Sequence, residues 1–235
     1  MQKTSNISDV EPVLVNARME PGRITLSLLG KDWELFRPAD LESMWDAMTD
    51  DDFSEDERIP YWVELWPASL ALAAWLQKQQ AYITGKTCLD LGCGLGFSAL
   101  AGSWLGARVI AMDYEAEALT YASRNTRVNA VPAPLWVAMD WRQPAVKPGS
   151  CDCIWGGDVM YENRFVIPVF DFINYALAPG GKVWIAEPGR DAYDNFKRAL
   201  LTGGWHSRCV AVNKVEALHV QDVPVSVKLW ELSRQ

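Results

Sequence analysis

Apolar residues recur along the central part of the chain with two different periods. Short, largely apolar runs are typical of buried strands, and the longer segments between them have apolar residues every three or four positions, as on one face of a helix. The predicted strands are 86–91, 107–112, 134–139, 151–157 and 181–187. The predicted helices between them are 96–105, 115–128, 162–177 and 190–202. Strands that alternate with helices predict a parallel sheet with helices on both faces.

The alternation changes near the carboxyl end of the chain. Two further strands, 207–215 and 225–233, have only a loop between them, and such a pair is expected to be antiparallel. The sequence therefore predicts an α/β fold. This is a Rossmann-like, doubly wound sheet of seven strands, mostly parallel, whose last strand is antiparallel to the others.

The region before the sheet has a different character. The expected segments are a loose leader at 1–20, a β-hairpin at 23–38 with Gly30-Lys31 between its strands, a short helix at 40–48 and an acidic loop at 50–57. From Pro67, the spacing of leucines and alanines predicts a helix to about Gln80. We therefore divide the chain into an N-terminal extension, 1–59, and one larger domain, 60–235.

Composition narrows the classes of function. The chain has 235 residues, 49% of them hydrophobic, which is enough for a sizeable core, and its apolar runs are too short to span a membrane. A net charge of −8 argues against binding to nucleic acid, which needs basic surface. An amino terminus without an apolar signal region and five cysteines without a CxxC pair favour a cytoplasmic protein with reduced thiols and no metal. The sequence leaves the oligomeric state open, and we favour a monomer.

One short segment carries most of the functional signal. Residues 90–96 read DLGCGLG, so that Gly92, Gly94 and Gly96 fall where a predicted strand turns into a helix. Glycines there allow positive φ angles and a close approach of a ligand to the backbone, and the helix start offers N–H groups. Asp113 follows the next strand, where a carboxylate can accept hydrogen bonds from both hydroxyls of an adenosine ribose. The pattern predicts a site for a ligand that contains a nucleoside.

Two ligand classes fit this pattern, a dinucleotide such as NAD and S-adenosylmethionine (SAM). The segment GLGFSA at 94–99 satisfies the loose GxGxxG/A pattern of dinucleotide sites. Asp90 favours SAM, because a carboxylate suits the ammonium group of its methionine end and would repel a pyrophosphate. Asp140 and Trp141 close the third strand, where the carboxylate can accept from the adenine amino group while the indole packs on the ring. With Cys93 in the glycine turn, these residues are our candidate SAM contacts.

In these motifs the chain resembles the class I, seven-strand SAM-dependent methyltransferases over about 60–235. Two further stretches narrow the resemblance: PYWVELWPASLALAAWL at 60–76 and IWGGDVMYE at 154–162. In them the chain resembles the small, family 16-like protein-lysine methyltransferases that modify chaperones, elongation factors and electron-transfer flavoprotein subunits, and their bacterial relatives. The resemblance implies methyl transfer from SAM to an amine, most often a protein lysine, with S-adenosylhomocysteine as the product and without a metal.

The first of these stretches implies a cofactor contact. In the family, a tryptophan just before the helix packs against the cofactor, and here that residue is Trp66. Tyr61 and Glu64 lie at the same entrance.

The second stretch implies the acceptor site. Asp158 and Tyr161 match the family's pattern of an acid, two residues and an aromatic, which lines the lysine channel, and Gly157 is implied to contact SAM through its backbone. Our hypothesis is that Asp158 orients the amine and offsets the positive charge that forms on nitrogen, while Tyr161 shapes the channel. Glu187 and Arg190, after the next strand, have two interpretations, contact with the substrate or a place in a surface loop, and we favour the surface loop.

Three classes of function stay open at this point. The first is a protein-lysine methyltransferase, and the second is a small-molecule N- or O-methyltransferase, since a fold alone does not settle the substrate. The third is an NAD-binding or nonenzymatic domain. The expected partner is a protein with an accessible lysine or a small amine, without nucleic acid or membrane. Neither His206 nor His219 lies in a metal-ligand pattern, so neither is assigned a role.

Overall fold

A computed structural model describes residues 10–20, 22–46, 59–215 and 223–234 of the chain. The strands are β1 Val10–Val13, β2 Asn16–Glu20, β3 Arg23–Leu28, β4 Lys31–Phe36, β5 Thr87–Leu91, β6 Arg108–Asp113, β7 Leu135–Ala138, β8 Cys151–Gly157, β9 Leu177–Glu187, β10 Trp205–Val215 and β11 Val225–Arg234. The α helices are α1 Leu41–Asp46, α2 Pro67–Lys78, α3 Gln80–Ile83, α4 Phe97–Trp104, α5 Ala116–Asn129, α6 Val166–Ala176 and α7 Asp191–Thr202. Short 3₁₀ turns span Tyr61–Val63 and Asn163–Phe165. The predicted acidic loop, 50–57, and the end of the predicted 40–48 helix lie outside the described residues.

The large sheet confirms the predicted fold class. Its strand order is β1-β10-β11-β9-β8-β5-β6-β7. Strand β11 is antiparallel to both of its neighbours, β9 and β10, while the other pairs in the sheet are parallel. Buried apolar clusters cover both faces of the sheet, as expected where helices pack on each side.

One strand of this sheet was not expected. Residues Val10–Val13, which fall in the predicted loose leader, pair in parallel with Val212–Val215 of β10. The sheet therefore has eight strands within the described residues, where the sequence predicted seven. The sequence VEPV gives little strand signal because Pro12 has no N–H to donate, but a proline is tolerated on an edge strand. Pairing there also covers the otherwise open edge of β10.

The predicted hairpin is present as part of a second, smaller sheet. Strands β3 and β4 pair in antiparallel fashion, and β2, also from the predicted leader, adds to β3. The turn residues are Leu29 and Gly30, with φ angles of 61° and 72°. Two positive φ angles at the centre of a two-residue turn match the twist of the flanking strands. The turn therefore lies one residue before the predicted Gly30-Lys31.

Side chains from α5 attach the small sheet to the rest of the molecule. The Phe36 backbone N–H donates to Asn125 Oδ1 at 2.7 Å, and the Glu34 N–H donates to Asn129 Oδ1 at 3.0 Å. Asn129 returns a bond to the Glu34 carbonyl at 2.7 Å. The two amides thus satisfy the open edge of β4, as a further strand would. The division of the chain at residue 59 stays a prediction.

No helix among the described residues is long and apolar enough to cross a membrane.

Candidate active site

A cavity of about 540 Å³ opens at the carboxyl ends of β5, β6, β7 and β8. This is the edge where open α/β sheets bind ligands, because the parallel strands all end there. Most of the residues that the sequence singled out meet in this cavity. They are Trp66, Gly92, Cys93, Gly94, Asp113, Asp140, Trp141, Gly157, Asp158 and Tyr161.

The glycine turn forms one wall of the cavity through its backbone. Gly92 and Gly94 have φ angles of +67° and +51°, which side chains other than glycine rarely adopt. The Cys93 N–H donates to the Met112 carbonyl at 2.9 Å, and the Gly94 N–H donates to Asp113 Oδ2 at 2.7 Å. A Cβ at Gly92 would lie only 3.1 Å from Val159. These hydrogen bonds hold the turn in place, and at Gly92 and Gly94 it presents backbone without a side chain to the cavity.

Gly96 has a different task from the one that the motif suggested. It does not line the cavity; it precedes α4 with a φ of +87°. A Cβ at Gly96 would lie 2.8 Å from both Ala122 Cβ and Trp136 Cη2. Gly96 is therefore required for the packing of α4 against α5 and β7, behind the cavity wall.

Asp90 also lies behind the wall. It is 1% exposed, it is not part of the cavity lining, and its Oδ2 accepts a hydrogen bond from Ser98 Oγ at 2.6 Å. Burial raises the pKa of Asp90 to about 7, against the opposing effect of the Ser98 hydrogen bond. The Asp90 carboxyl group thus fastens β5 to α4 through Oδ2, while Oδ1 is buried without a hydrogen-bond partner; the contact with the ammonium group of SAM stays a prediction.

Asp113 lies at the cavity surface with both oxygens oriented by backbone. Its Oδ2 accepts from Gly94 and its Oδ1 accepts from the Glu115 N–H at 3.0 Å. Burial raises the pKa of Asp113 to about 6, and these hydrogen bonds limit the rise. Each carboxylate oxygen retains a further lone pair, so the group can still accept hydrogen bonds from a ligand.

Asp140 and Trp141 follow β7 at the same edge. Asp140 accepts hydrogen bonds at 2.8 Å from both the N–H and the side-chain Nε of Arg142. These bonds fix the turn after the strand, so that the Trp141 ring packs edge-on against Phe165 with centroids 5.3 Å apart. Both predicted residues line the cavity, and Arg142 forms an ion pair with Asp140.

A row of contacting aromatic rings also lines the cavity. Trp66 donates from Nε1 to the Tyr61 carbonyl at 2.8 Å, and the Tyr61 ring lies 5.2 Å from that of Tyr161. Tyr161 in turn lies 5.0 Å from Phe165. Burial raises the pKa of Tyr161 well above its usual value, so its hydroxyl stays protonated. Phe165 was not singled out in the sequence, because nothing local distinguishes it from a core residue of α6.

Gly157 and Asp158 end β8 beside the start of α2. A Cβ at Gly157 would lie 3.3 Å from the N–H nitrogen and Oγ of Ser69. The absence of a side chain at Gly157 therefore lets the start of α2 lie close to the end of β8. Asp158 has a φ of +54°, which is unusual for a residue other than glycine, and its N–H donates to the Ala186 carbonyl at 2.8 Å. This hydrogen bond to β9 therefore fixes the backbone position of Asp158.

Arg190 is a cavity residue that the sequence analysis considered but did not select as a candidate. Its guanidinium donates from Nη2 to Asp158 Oδ2 at 2.7 Å and from Nε to Oδ1 at 3.0 Å, and it lines the cavity. The interpretation as a surface-loop residue was wrong for Glu187, which is buried at the end of β9, whereas Arg190 lies in an exposed loop and lines the cavity from there. The signal that could have found Arg190 is its position just after β9, the strand that neighbours β8.

Glu187, only 4% exposed, organises the loop that carries Arg190. Its Oε2 accepts hydrogen bonds from the N–H groups of Gly189 and Arg190, the latter at 3.1 Å. Its Oε1 accepts from Trp230 Nε1 at 3.0 Å. This role could not be predicted from local pattern, because Trp230 lies on β11, 43 residues further along the chain.

Among the described residues, no group of three or more His, Cys, Asp or Glu side chains is placed to hold a metal ion. His206 lies exposed on β10, and His219 lies outside the described residues.

The chain is similar to known methyltransferases. Residues 88–181 match the methyltransferase domain family. The electron transfer flavoprotein beta subunit lysine methyltransferase of Danio rerio is 32% identical over 145 residues, which cover 60% of this chain and 55% of the relative. The EEF1A lysine methyltransferase 3 of Mus musculus is 25% identical over 171 residues, which cover 68% of this chain and 73% of the relative. The chain thus spans about half the length of the flavoprotein-directed relatives it matches.

A solved structure extends the comparison to the fold. Magnesium protoporphyrin IX methyltransferase from Synechocystis, solved with bound SAM, matches with a TM-score of 0.58 and 14% identity over 83% of this chain and 98% of that chain. At this identity the match shows the fold alone. Together, the comparisons support the resemblance found in the sequence: residues 88–181 match the methyltransferase domain family, the fold is that of solved methyltransferases, and the chain is similar in sequence to protein lysine methyltransferases.

Proposed function

We propose that this chain, as a relative of protein lysine methyltransferases that carries a methyltransferase domain, transfers a methyl group from SAM to the side-chain amine of a protein lysine. One observation carries the proposal. The candidate cofactor residues after β5, β6 and β7 and the candidate acceptor residues after β8 open into the same cavity. A methyl donor and an amine acceptor bound in one cavity would be held next to each other, so that the reaction between them no longer depends on their meeting in solution.

The cofactor side of the cavity fits SAM in shape and in hydrogen-bonding capacity. Gly92 and Gly94 line the cavity with backbone, which a ligand can approach closely. Asp113 can accept from the ribose hydroxyls, while Asp140 and Trp141 can take the adenine amino group and ring. SAM, when bound, supplies a methyl group on a positively charged sulfur, which a neutral amine can attack.

The acceptor side fits the end of a lysine side chain. The rings of Tyr61 and Tyr161 contact each other and offer apolar surface to an alkyl chain, and the Asp158 carboxylate lines the same cavity. Asp158 would accept a hydrogen bond from the amine and stabilise the positive charge that appears on the nitrogen. The Tyr161 hydroxyl, which stays protonated, can hydrogen-bond to the amine without adding charge.

The names of the flavoprotein-directed relatives point to a first acceptor to test, the β subunit of electron transfer flavoprotein from the same organism as this chain. The protein is incubated with methyl-labelled SAM and this purified subunit, and in parallel with a cell lysate that is then separated on a gel. We expect a labelled protein band, and mass spectrometry of that band should locate the label on a lysine. Label found only in the small-molecule fraction would instead support the small-molecule methyltransferase alternative.

A thermal-shift measurement tests the cofactor independently of the acceptor. S-Adenosylhomocysteine should raise the unfolding temperature, whereas NADH should not. Stabilisation by NADH alone would contradict the proposal and return the chain to the dinucleotide-binding class.

A further inference from the structure

The ion pair between Asp158 and Arg190 occupies the place where the proposed function puts the acceptor amine. Both guanidinium bonds to the carboxylate are short, at 2.7 and 3.0 Å, and both residues line the cavity beside Tyr61 and Tyr161. A guanidinium and a primary ammonium are both cations that donate several hydrogen bonds. The acceptor and Arg190 therefore compete for the same carboxylate.

The two partners of this pair differ in how easily they can leave it. The Asp158 side chain is 7% exposed, whereas that of Arg190 is 40% exposed. Arg190 can turn its guanidinium into water on a long flexible side chain, and water will solvate it. Asp158 has no such option, because its backbone is bonded to β9 at Ala186 and its carboxylate would be left as an unpaired buried charge. Asp158 therefore requires a cation, but not this particular cation.

The loop that carries Arg190 stays in place when the side chain moves. Glu187 holds the N–H groups of Gly189 and Arg190 and is itself bonded to Trp230. None of these bonds involves the Arg190 guanidinium. The side chain can thus swing out and return without rearranging the end of β9.

We propose that Arg190 is a placeholder for the acceptor, whose guanidinium keeps Asp158 paired until the ammonium group of an unbranched alkyl amine replaces it. This rests on the proposed function, because it takes Asp158 to be the acceptor-side carboxylate. Exchange of one cation for another keeps the charge of the site constant on binding, and the bound ammonium group then loses a proton to solvent before its nitrogen attacks the methyl group. The exchange also sets the affinity for the acceptor, since every acceptor must displace Arg190 before it binds.

The proposal predicts that removal of Arg190 strengthens binding of an acceptor cation. The probe is n-butylammonium chloride, which has the four-carbon chain and ammonium group of a lysine side chain. Its binding is followed by NMR titration of the protein, with and without S-adenosylhomocysteine, so that no turnover is needed. We expect Arg190→Met to bind the probe about tenfold more tightly than the wild type, because the competing cation is gone. Arg190→Lys, which keeps a cation near Asp158, should restore weak binding.

Two further variants separate the placeholder role from other effects. Arg164→Gln removes the same charge from the same cavity, but Arg164 pairs with Glu162 rather than Asp158, so binding should change by no more than about twofold. Asp158→Asn should abolish the gain when combined with Arg190→Met. Unchanged or weaker binding in a cooperatively folded Arg190→Met protein would overturn the proposal, and Arg190→Ala provides a second variant if the first fails to fold.

The test does not depend on the proposed function being right. If Arg190→Met binds the probe more tightly but no methyl transfer is found with any protein, then the cation exchange holds and the proposed reaction fails. If methyl transfer is found but the probe binds equally to both proteins, then the proposed function holds and the placeholder role fails.

Discussion

The two walls of the cavity are built in different ways. At the ends of β5 and β6, backbone groups and a buried carboxylate hold each other, as in the hydrogen bond from the Gly94 N–H to Asp113. At the ends of β8 and β9, side chains hold side chains: Asp158 pairs with Arg190, and Tyr161 is held by contacts between rings. A wall made of backbone has one shape and suits a ligand that never changes. A wall made of side chains can rearrange when one ligand replaces another.

Under the proposed function, the wall at the ends of β5 and β6 binds SAM and is called the cofactor wall. The wall at the ends of β8 and β9 binds the amine and is called the acceptor wall. We expect variants on the two walls to have different effects. Changes on the acceptor wall should alter turnover and leave cofactor binding intact. Changes on the cofactor wall should alter binding of SAM or the stability of the fold.

The largest effect is expected for Asp158→Ala. Loss of a group that stabilises charge in the transition state typically lowers kcat by about 10²–10³. Affinity for S-adenosylhomocysteine should stay close to that of the wild type, since Asp158 belongs to the other wall. Methyl transfer with saturating labelled SAM and calorimetric titration with S-adenosylhomocysteine measure the two quantities separately. Loss of cofactor binding in this variant would place Asp158 in the cofactor pocket and remove the distinction between the walls.

Next comes Gly96→Ala, which tests whether the backbone wall is rigidly supported from behind. The new Cβ would clash with Ala122 and Trp136 at 2.8 Å, and the φ of +87° adds strain. We expect the free energy of unfolding to fall by roughly 2–4 kcal/mol, as a sum of overpacking and left-handed strain. Urea denaturation gives the value.

Gly30→Ala is the matched control for that variant. Gly30 also has a positive φ, of 72°, but no atom lies within 4 Å of the new Cβ. Strain alone should cost about 1–2 kcal/mol. Equal losses in the two variants would show that the packing behind the glycine turn contributes nothing.

A smaller effect is expected from pH on the cofactor wall. Burial raises the pKa of Asp113 to about 6, so the carboxylate is ionised above that pH and protonated below it. Only the ionised form can accept hydrogen bonds through both oxygens from ribose hydroxyls. Affinity for S-adenosylhomocysteine should therefore fall by about tenfold between pH 7 and pH 5. In Asp113→Asn the affinity should be weaker throughout and nearly independent of pH; a wild-type affinity that is flat over this range would count against Asp113 as the ribose acceptor.

The smallest effect is expected for Tyr161→Phe. The substitution keeps the ring contacts with Tyr61 and Phe165 and removes only a hydroxyl that stays protonated. A lost neutral hydrogen bond is worth about 1 kcal/mol, so kcat should fall by no more than about fivefold. Tyr161→Ala, which removes the ring as well, should raise the KM for the acceptor. Equal kinetics in the two variants would mean that the ring does not shape the channel.

Local pattern was enough to predict the main elements of the fold. The alternation of strands and helices, the antiparallel last strand and the β3–β4 hairpin all depend on neighbours in sequence, so they can be predicted from short windows. Strand β1 could not be, because Val10–Val13 contains Pro12 and forms a strand only by pairing with Val212–Val215. The sheet therefore has one strand more than the pattern implied.

Most of the candidate site could also be predicted from local pattern, because residues that follow parallel strands meet at one edge of the sheet. It could not decide which side chains of a motif face the cavity. Asp90 and Gly96 belong to the glycine motif, yet Ser98 and Trp136 draw them into the packing behind the wall. Burial and direction depend on partners that are not adjacent in sequence.

By itself, the sequence determined the order of elements, the glycine turn and the set of carboxylates at the strand ends, because these follow from backbone periodicity and local conformational preference. Only the tertiary structure decided that the Arg190 guanidinium pairs with the Asp158 carboxylate. The same is true of the hydrogen bonds by which Glu187 and Trp230 hold the loop that carries Arg190. Those contacts join residues 32 and 43 positions apart, and pairs at such distances form only when the sheet brings β8, β9 and β11 side by side.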